Sequence, residues 1–130
     1  FDAGEAYGRS KLANALFSLE LAERLKGTNL TSNAVHPGSI MTNISHSAPL
    51  WVKASLSLGR FFLRTVAEGA ATQVYVASHP DADKESGCFF ETCQPVDFED
   101  THPIRNRKLA QELWHVATAM SQRLQAETAV

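Results

Sequence analysis

The chain has 130 residues, 44% of them hydrophobic and 20% charged, with 12 basic and 14 acidic side chains and a formal charge of −2. That composition excludes a disordered or collagen-like chain. The charge offers no long-range attraction for nucleic acid, since the one tight basic group is Arg105, Arg107 and Lys108.

Residues 5 to 26 are rich in Ala, Leu, Glu, Lys and Arg, with no Pro and no Gly between Gly8 and Gly27. This predicts a helix. Its apolar residues form two rows, Leu12, Ala15, Leu16, Leu19, Ala22 and Ala13, Phe17, Leu21, Leu25, so it is expected to be buried on two sides. Gly27 is the expected stop. Residues 30 to 36 read as a short strand ended by the Pro37-Gly38 turn. Residues 39 to 64 are polar first, then carry Leu50, Trp51, Val52, Leu56, Leu58, Phe61, Phe62 and Leu63. Residues 65 to 79 read as a second helix, with Thr65 and Glu68 as a capping box and Pro80 as the stop. Residues 87 to 93 read as a second strand. Residues 104 to 125 read as a last helix, with Leu109, Leu113, Val116, Ala117, Met120 and Leu124 on one stripe.

The order helix, strand, helix, strand, helix, with strand–helix–strand as a parallel crossover, points to a layered α/β fold. Two strands do not make a stable parallel sheet, which is normally covered on both faces and needs three or more. The first helix has two apolar sides and no strand before it, and the chain begins with Phe1. The expectation is therefore the C-terminal portion, residues 1–130, of a doubly wound α/β domain whose upstream strands are missing.

Cys88 and Cys93 are too few for a disulfide scaffold or a four-thiolate zinc site, and they are not spaced as C-x-x-C. One disulfide is the open alternative, but packed thiols in a reducing, cytoplasmic setting are expected. Lys53 and Arg60 interrupt the apolar stretch 50 to 63, so no membrane span is expected. Lys53, Arg60 and Arg64 leave only a minor case for surface contact with a membrane. The five histidines show no H-E-x-x-H or paired spacing, and no metal site is expected. His36, beside Pro37, reads as a strand-end residue and not a base.

One pair does suit proton chemistry. Tyr7 and Lys11 stand four residues apart, one turn along the same helix face. A phenol ordinarily titrates near 10, and a fixed positive charge beside it favours the phenolate. The same spacing also describes an ordinary surface pair, so the pair alone decides nothing.

The surrounding residues decide more. Ala6-Tyr7-Gly8-Arg9-Ser10-Lys11-Leu12-Ala13-Asn14-Ala15-Leu16-Phe17 resembles the active-site helix of the short-chain dehydrogenase/reductases, in the branch of retinol dehydrogenases and WW-domain oxidoreductases. Ala34-Val35-His36-Pro37-Gly38-Ser39-Ile40-Met41-Thr42 is similar to that family's strand-to-loop Pro-Gly motif. Gly69 to Tyr75, Ser86 to Phe90 and Leu113-Trp114 follow in the family's order. The resemblance runs from Tyr7 to about residue 120.

It implies a Rossmann-like fold, NAD or NADP as cofactor, and a small apolar alcohol or carbonyl as substrate. Tyr7 would be the general acid or base. Lys11 would lower the Tyr7 pKa and hold the nicotinamide ribose. Pro37, Gly38, Ile40 and Thr42 would meet the carboxamide. Residues 49 to 63 would cover the substrate, a small core-packed helix being the plainer reading. The family's Gly-rich phosphate loop, its NAD-or-NADP selector and the Ser that polarises the carbonyl are absent from these residues, and Ser10 does not replace that Ser. The alternative is a noncatalytic module of the same fold that pairs helices with another subunit. The family also implies pairing of copies through the 5–26 and 65–79 helices.

Overall fold

The computed structural model describes residues 2–38 and 65–128. Its first helix, α1, spans Ala3–Arg24 and starts earlier than residue 5, because Asp2 caps it. The Asp2 carboxylate accepts from the N–H groups of Gly4 and Glu5 at 2.8 and 3.1 Å, satisfying donors that a helix start leaves free. At the other end Gly27 takes φ +85° and turns the chain away.

A short loop leads into β1 (Ala34–His36). The next described helix, α2 (Val66–Ser78), begins at Thr65 with both halves of the expected capping box. Strand β2 (Phe89–Glu91) lies parallel to β1, with Val35 opposite Phe90 and His36 opposite Glu91. Both strands are shorter than the sequence suggests: β1 keeps the last three residues of 30–36 and β2 the middle three of 87–93, while the Gly87 N–H still donates to the Ser32 carbonyl at 2.7 Å ahead of the ladder.

A third strand, β3 (Gln94–Pro95), was not expected. It folds back antiparallel on β2, giving the order β1-β2-β3. The turn between them places Thr92 and Cys93 at φ 54° and 60°. Two-residue hairpins of this kind favour Asn-Gly, so Thr-Cys carried no signal for it. Pro95 is tolerated because β3 is an edge strand.

The last helix, α3, spans Arg107–Thr128 and is preceded by a single 3-10 turn, Pro103–Arg105, so it starts later and ends later than expected. Its apolar stripe is not the buried face. Ala110 is the residue it buries, whereas Leu109, Val116, Met120 and Leu124 are exposed. The physical reason lies on α1. Trp114 stacks on Phe17 at 4.9 Å, and the Arg24 guanidinium lies 4.5 Å from the Trp114 ring. Arg107 bonds Glu23. Arg107, Ala110 and Trp114 recur at helical spacing on one side, and the stripe lies roughly a quarter-turn to a third of a turn away from it at ~100° per residue.

The core is small: Ala15, Leu16 and Ala22 of α1, Phe90 of β2, Ala82, Ala110, and the hydroxyl residue Thr72 of α2. Glu20 is also buried, and Arg24 donates to its carboxylate at 2.9 Å, which keeps that charge paired. The expectation of a two-sided α1 holds in part, since Phe17 remains 44% exposed despite its stacking.

Polar side chains fix the sheet to α1. Asn33 donates to the Glu85 carbonyl at 2.9 Å and accepts from the Cys88 N–H at 3.0 Å, closing the entry to the parallel pair. Ser18 and Ser32 share a hydrogen bond of 2.9 Å. Beside them Gly87 takes φ +80°, and a Cβ there would stand 3.4 Å from that of Ala22. Gly87→Ala should therefore cost about 1–2 kcal/mol from its backbone conformation. A urea-denaturation midpoint unchanged from the parent would refute that assignment.

Candidate active site

Asp2 starts α1 just before Tyr7, so the cap sets the backbone that carries the phenol. Tyr7 is 66% exposed. Lys11 lies one turn on, its Nζ 5.2 Å from the centre of the Tyr7 ring. The two predicted residues are thus brought together, ammonium against phenol. Ser10 donates to the Tyr7 carbonyl at 2.7 Å and so satisfies its own hydroxyl within the helix. Arg9 is paired with Glu5 at 2.6 Å, which leaves Lys11 as the cation over the ring.

Pro37 and Gly38 follow directly on β1, and Gly38 takes φ +78°. The relation between strand and helix can be followed residue by residue. Ser32 meets Ser18, and further along the strand Ala34 shares with Ala15 the lining of a cavity of about 410 Å³. The strand index rises as the helix index falls, so β1 runs antiparallel to α1. The Pro37-Gly38 turn therefore leaves the sheet toward the N-terminal end of α1, the end that carries Tyr7 and Lys11. Ile40 and Thr42, also expected at the site, lie outside the described residues, as do Phe61, Phe62 and the rest of the 49–63 segment.

Sequence reasoning passed over Asp2 here and, for His36, read the strand end it occupies but not the bond its side chain makes. Asp2 had a legible signal, an acceptor followed three residues later by Glu5. His36 had none. Its Nδ1 accepts from the Gly38 N–H at 3.0 Å and lies 3.6 Å from a Glu91 carboxylate oxygen.

Cys88 and Cys93 are free thiols. Burial pushes the Cys88 thiol up, and its hydrogen bond to the Glu85 carboxylate adds to the effect. A thiol held in its neutral form is a poor nucleophile. Among the described residues no group of three or more His, Cys, Asp or Glu could hold a metal ion, and no helix is long and apolar enough to cross a membrane.

No family model matches the chain. Individual relatives do. It is 42% identical over 118 residues to human retinol dehydrogenase 14, covering 88% of this chain and 34% of that protein. It is 40% identical over 120 residues to human WW domain-containing oxidoreductase, covering 92% of this chain and 27% of that protein. The chloroplastic short-chain dehydrogenase TIC 32 A of Brassica napus is 40% identical over 116 residues, covering 85% and 34%. The chain belongs to the short-chain dehydrogenase/reductase family and spans about a third of the length of the curated relatives it matches. Membership does not fix a compartment, since one relative is chloroplastic by name.

Proposed function

We propose that residues 1–130 are the C-terminal part, from the active-site helix onward, of one doubly wound short-chain dehydrogenase/reductase domain that interconverts an alcohol and a carbonyl with NAD or NADP. The observation that carries this reading is the Lys11 ammonium 5.2 Å from the Tyr7 ring, at the end of α1 toward which β1 delivers Pro37 and Gly38. Among the described residues β1 is a three-residue edge strand, which supports a larger sheet.

In the reducing direction the Tyr7 hydroxyl donates its proton to the carbonyl oxygen as negative charge develops there, and in the reverse direction the phenolate takes the proton from the alcohol. Lys11 sets a fixed positive charge beside the phenol, its Nζ 5.2 Å from the ring centre. A bound nicotinamide dinucleotide supplies or accepts the hydride. The residues present fit its nicotinamide end. Lys11 offers donors for ribose hydroxyls, and Gly38, with no Cβ and a positive φ, lets backbone approach the carboxamide. By the family resemblance, Pro37, Ile40 and Thr42 would complete that contact. A small apolar substrate accords with the retinol dehydrogenases among the relatives. Pairing of copies through α1 and α2 belongs to the same reading.

The phosphate end is another matter. The 130 residues contain no Gly-rich turn of the G-x-x-x-G-x-G type to cradle a pyrophosphate. The chain made alone should therefore show no saturable binding when titrated with NADH or NADPH by fluorescence, and no turnover. Extended upstream through its own coding sequence, it should bind one of them. Micromolar binding by the 130-residue chain would overturn the partial-domain reading. Absence of binding by the extended protein would leave the noncatalytic, helix-pairing module.

A further inference from the structure

Three of the five histidines precede a proline: His36-Pro37, His79-Pro80 and His102-Pro103. All three do the same thing. Each imidazole reaches over its proline and accepts, at Nδ1, the N–H of the residue two further on: Gly38 at 3.0 Å, Asp81 at 3.2 Å and Ile104 at 3.2 Å. Proline supplies the reason, because it has no N–H of its own and a fixed φ. An Nδ1 that accepts a backbone N–H carries a lone pair, so the neutral ring holds its proton on Nε2. Protonation turns Nδ1 into a donor, and that bond must break.

We propose that His36 is a positioning residue whose protonation state sets the Gly38 backbone: neutral imidazole holds the Gly38 N–H, and protonated imidazole releases it and turns to Glu91. The geometry for both states is present, since the Glu91 carboxylate oxygen lies 3.6 Å from the same Nδ1. The Phe89 ring, 6.2 Å away between centroids, bounds the ring on the strand side. Of the other charged or titratable groups on elements packed against β1, Glu68 of α2 is bonded to Thr65, and Tyr75 of α2 is stacked on His79. On α1, Glu20 is bonded by Arg24, and Lys11 lies over Tyr7. Glu5 and Glu23 of α1 are likewise held, by Arg9 and Arg107, so among the described residues Glu91 is the carboxylate left to receive the imidazolium.

The other two turns serve as internal references. His79 has Asp81 beside it at 3.7 Å, but Lys84 also reaches that carboxylate, at 3.9 Å. His102 is stacked on Phe98 at 4.5 Å, with Arg105 close by holding Asp97 and Asp100. The turn at His36 differs in having its carboxylate on a neighbouring strand, so the switch there ties the turn to the sheet. Its consequence for a cofactor rests on the proposed function, because Gly38 is one of the residues assigned to the carboxamide. The switch itself does not.

The test is nuclear magnetic resonance on the full-length protein, without cofactor, followed across the pH range in which the His36 ring takes up its proton. At high pH the His36 ring should show the Nε2–H tautomer. As the ring takes up its proton, the Gly38 amide should move with the same midpoint, and cross-relaxation from the ring to the Glu91 side chain should strengthen. His36→Asn, whose carbonyl can accept the same N–H but does not titrate, should keep the Gly38 amide bonded and pH-independent. His36→Phe should lose the bond at every pH. Glu91→Gln should retain the release of Gly38 but lose the strengthened contact. A Gly38 amide that ignores His36 titration overturns the proposal. So does equal behaviour of the Asn and Phe variants. If all three turn amides titrate as they do in short His-Pro peptides and none senses residue 91, the proposal also falls. Failure to bind any dinucleotide would leave these shifts unchanged, so the two readings fail separately.

Discussion

Tyr7→Phe, made in the full-length oxidoreductase proposed above, should lower turnover by about 10²–10⁴-fold, the usual worth of a positioned acid or base. The substitution removes one hydroxyl from a side chain that is 66% exposed on α1, so the helix and its cap should be untouched. Cofactor affinity should stay near its starting value. Lys11→Ala should lower both turnover and cofactor affinity, because that ammonium is assigned to the phenol and to the ribose together. Steady-state rates with a carbonyl substrate, beside a fluorescence titration of the cofactor, separate the two patterns. Near-normal turnover in the Phe variant would remove Tyr7 from the chemistry.

The largest effect on stability should come from Phe90→Ala. Phe90 is 1% exposed, pairs with Val35 on one side and Pro95 on the other, and has the Tyr75 ring 6.4 Å away. It is the largest side chain in a core otherwise made mostly of alanines. Truncating a buried Phe costs about 3–5 kcal/mol, and whole domains are stable by only ~5–15 kcal/mol. In the same full-length protein the urea midpoint should fall steeply, or the cooperative transition should disappear. A shift equivalent to less than about 1 kcal/mol would mean that the sheet is held by something other than this ring.

How much of this was legible depended on whether local chemistry or distant contact decided the outcome. The capping box at Thr65 and the stop at Gly27 were readable because each rests on a few neighbouring residues, and the parallel pair of strands because a strand–helix–strand order constrains the crossover. The Tyr7–Lys11 contact was readable for the same reason, being one helical turn. The β3 hairpin was not, because Thr92 and Cys93 adopt left-handed backbone without being glycine or asparagine. What supports them lies far off in sequence: the Cys93 N–H donates to the buried Thr72 hydroxyl at 3.2 Å. The stripe on α3 misled for a related reason. Periodicity located an apolar row correctly, but Trp114 meeting Phe17 and Arg24 chose which side of the helix would dock. The His36 cap was invisible because nothing about a His-Pro pair in sequence says which way the imidazole will fold.

The attachment of α1 to the sheet has a mechanical consequence. Its close contacts are made by small groups near residues 18 to 22, where Ser18 meets Ser32 and Gly87 meets Ala22. From that pivot to Tyr7 is roughly thirteen residues, or about 20 Å of rigid rod at ~1.5 Å per residue. A tilt of about 5° at the fulcrum would swing the phenol by nearly 2 Å over that length. A displacement of about 1 Å is enough to cost 10²-fold in a reaction that depends on alignment. The rod amplifies error. A side chain larger than the methyl of Ala22, set against Gly87, would therefore be felt most strongly not where it is inserted but at the far end, as a phenol aimed at the wrong point in space.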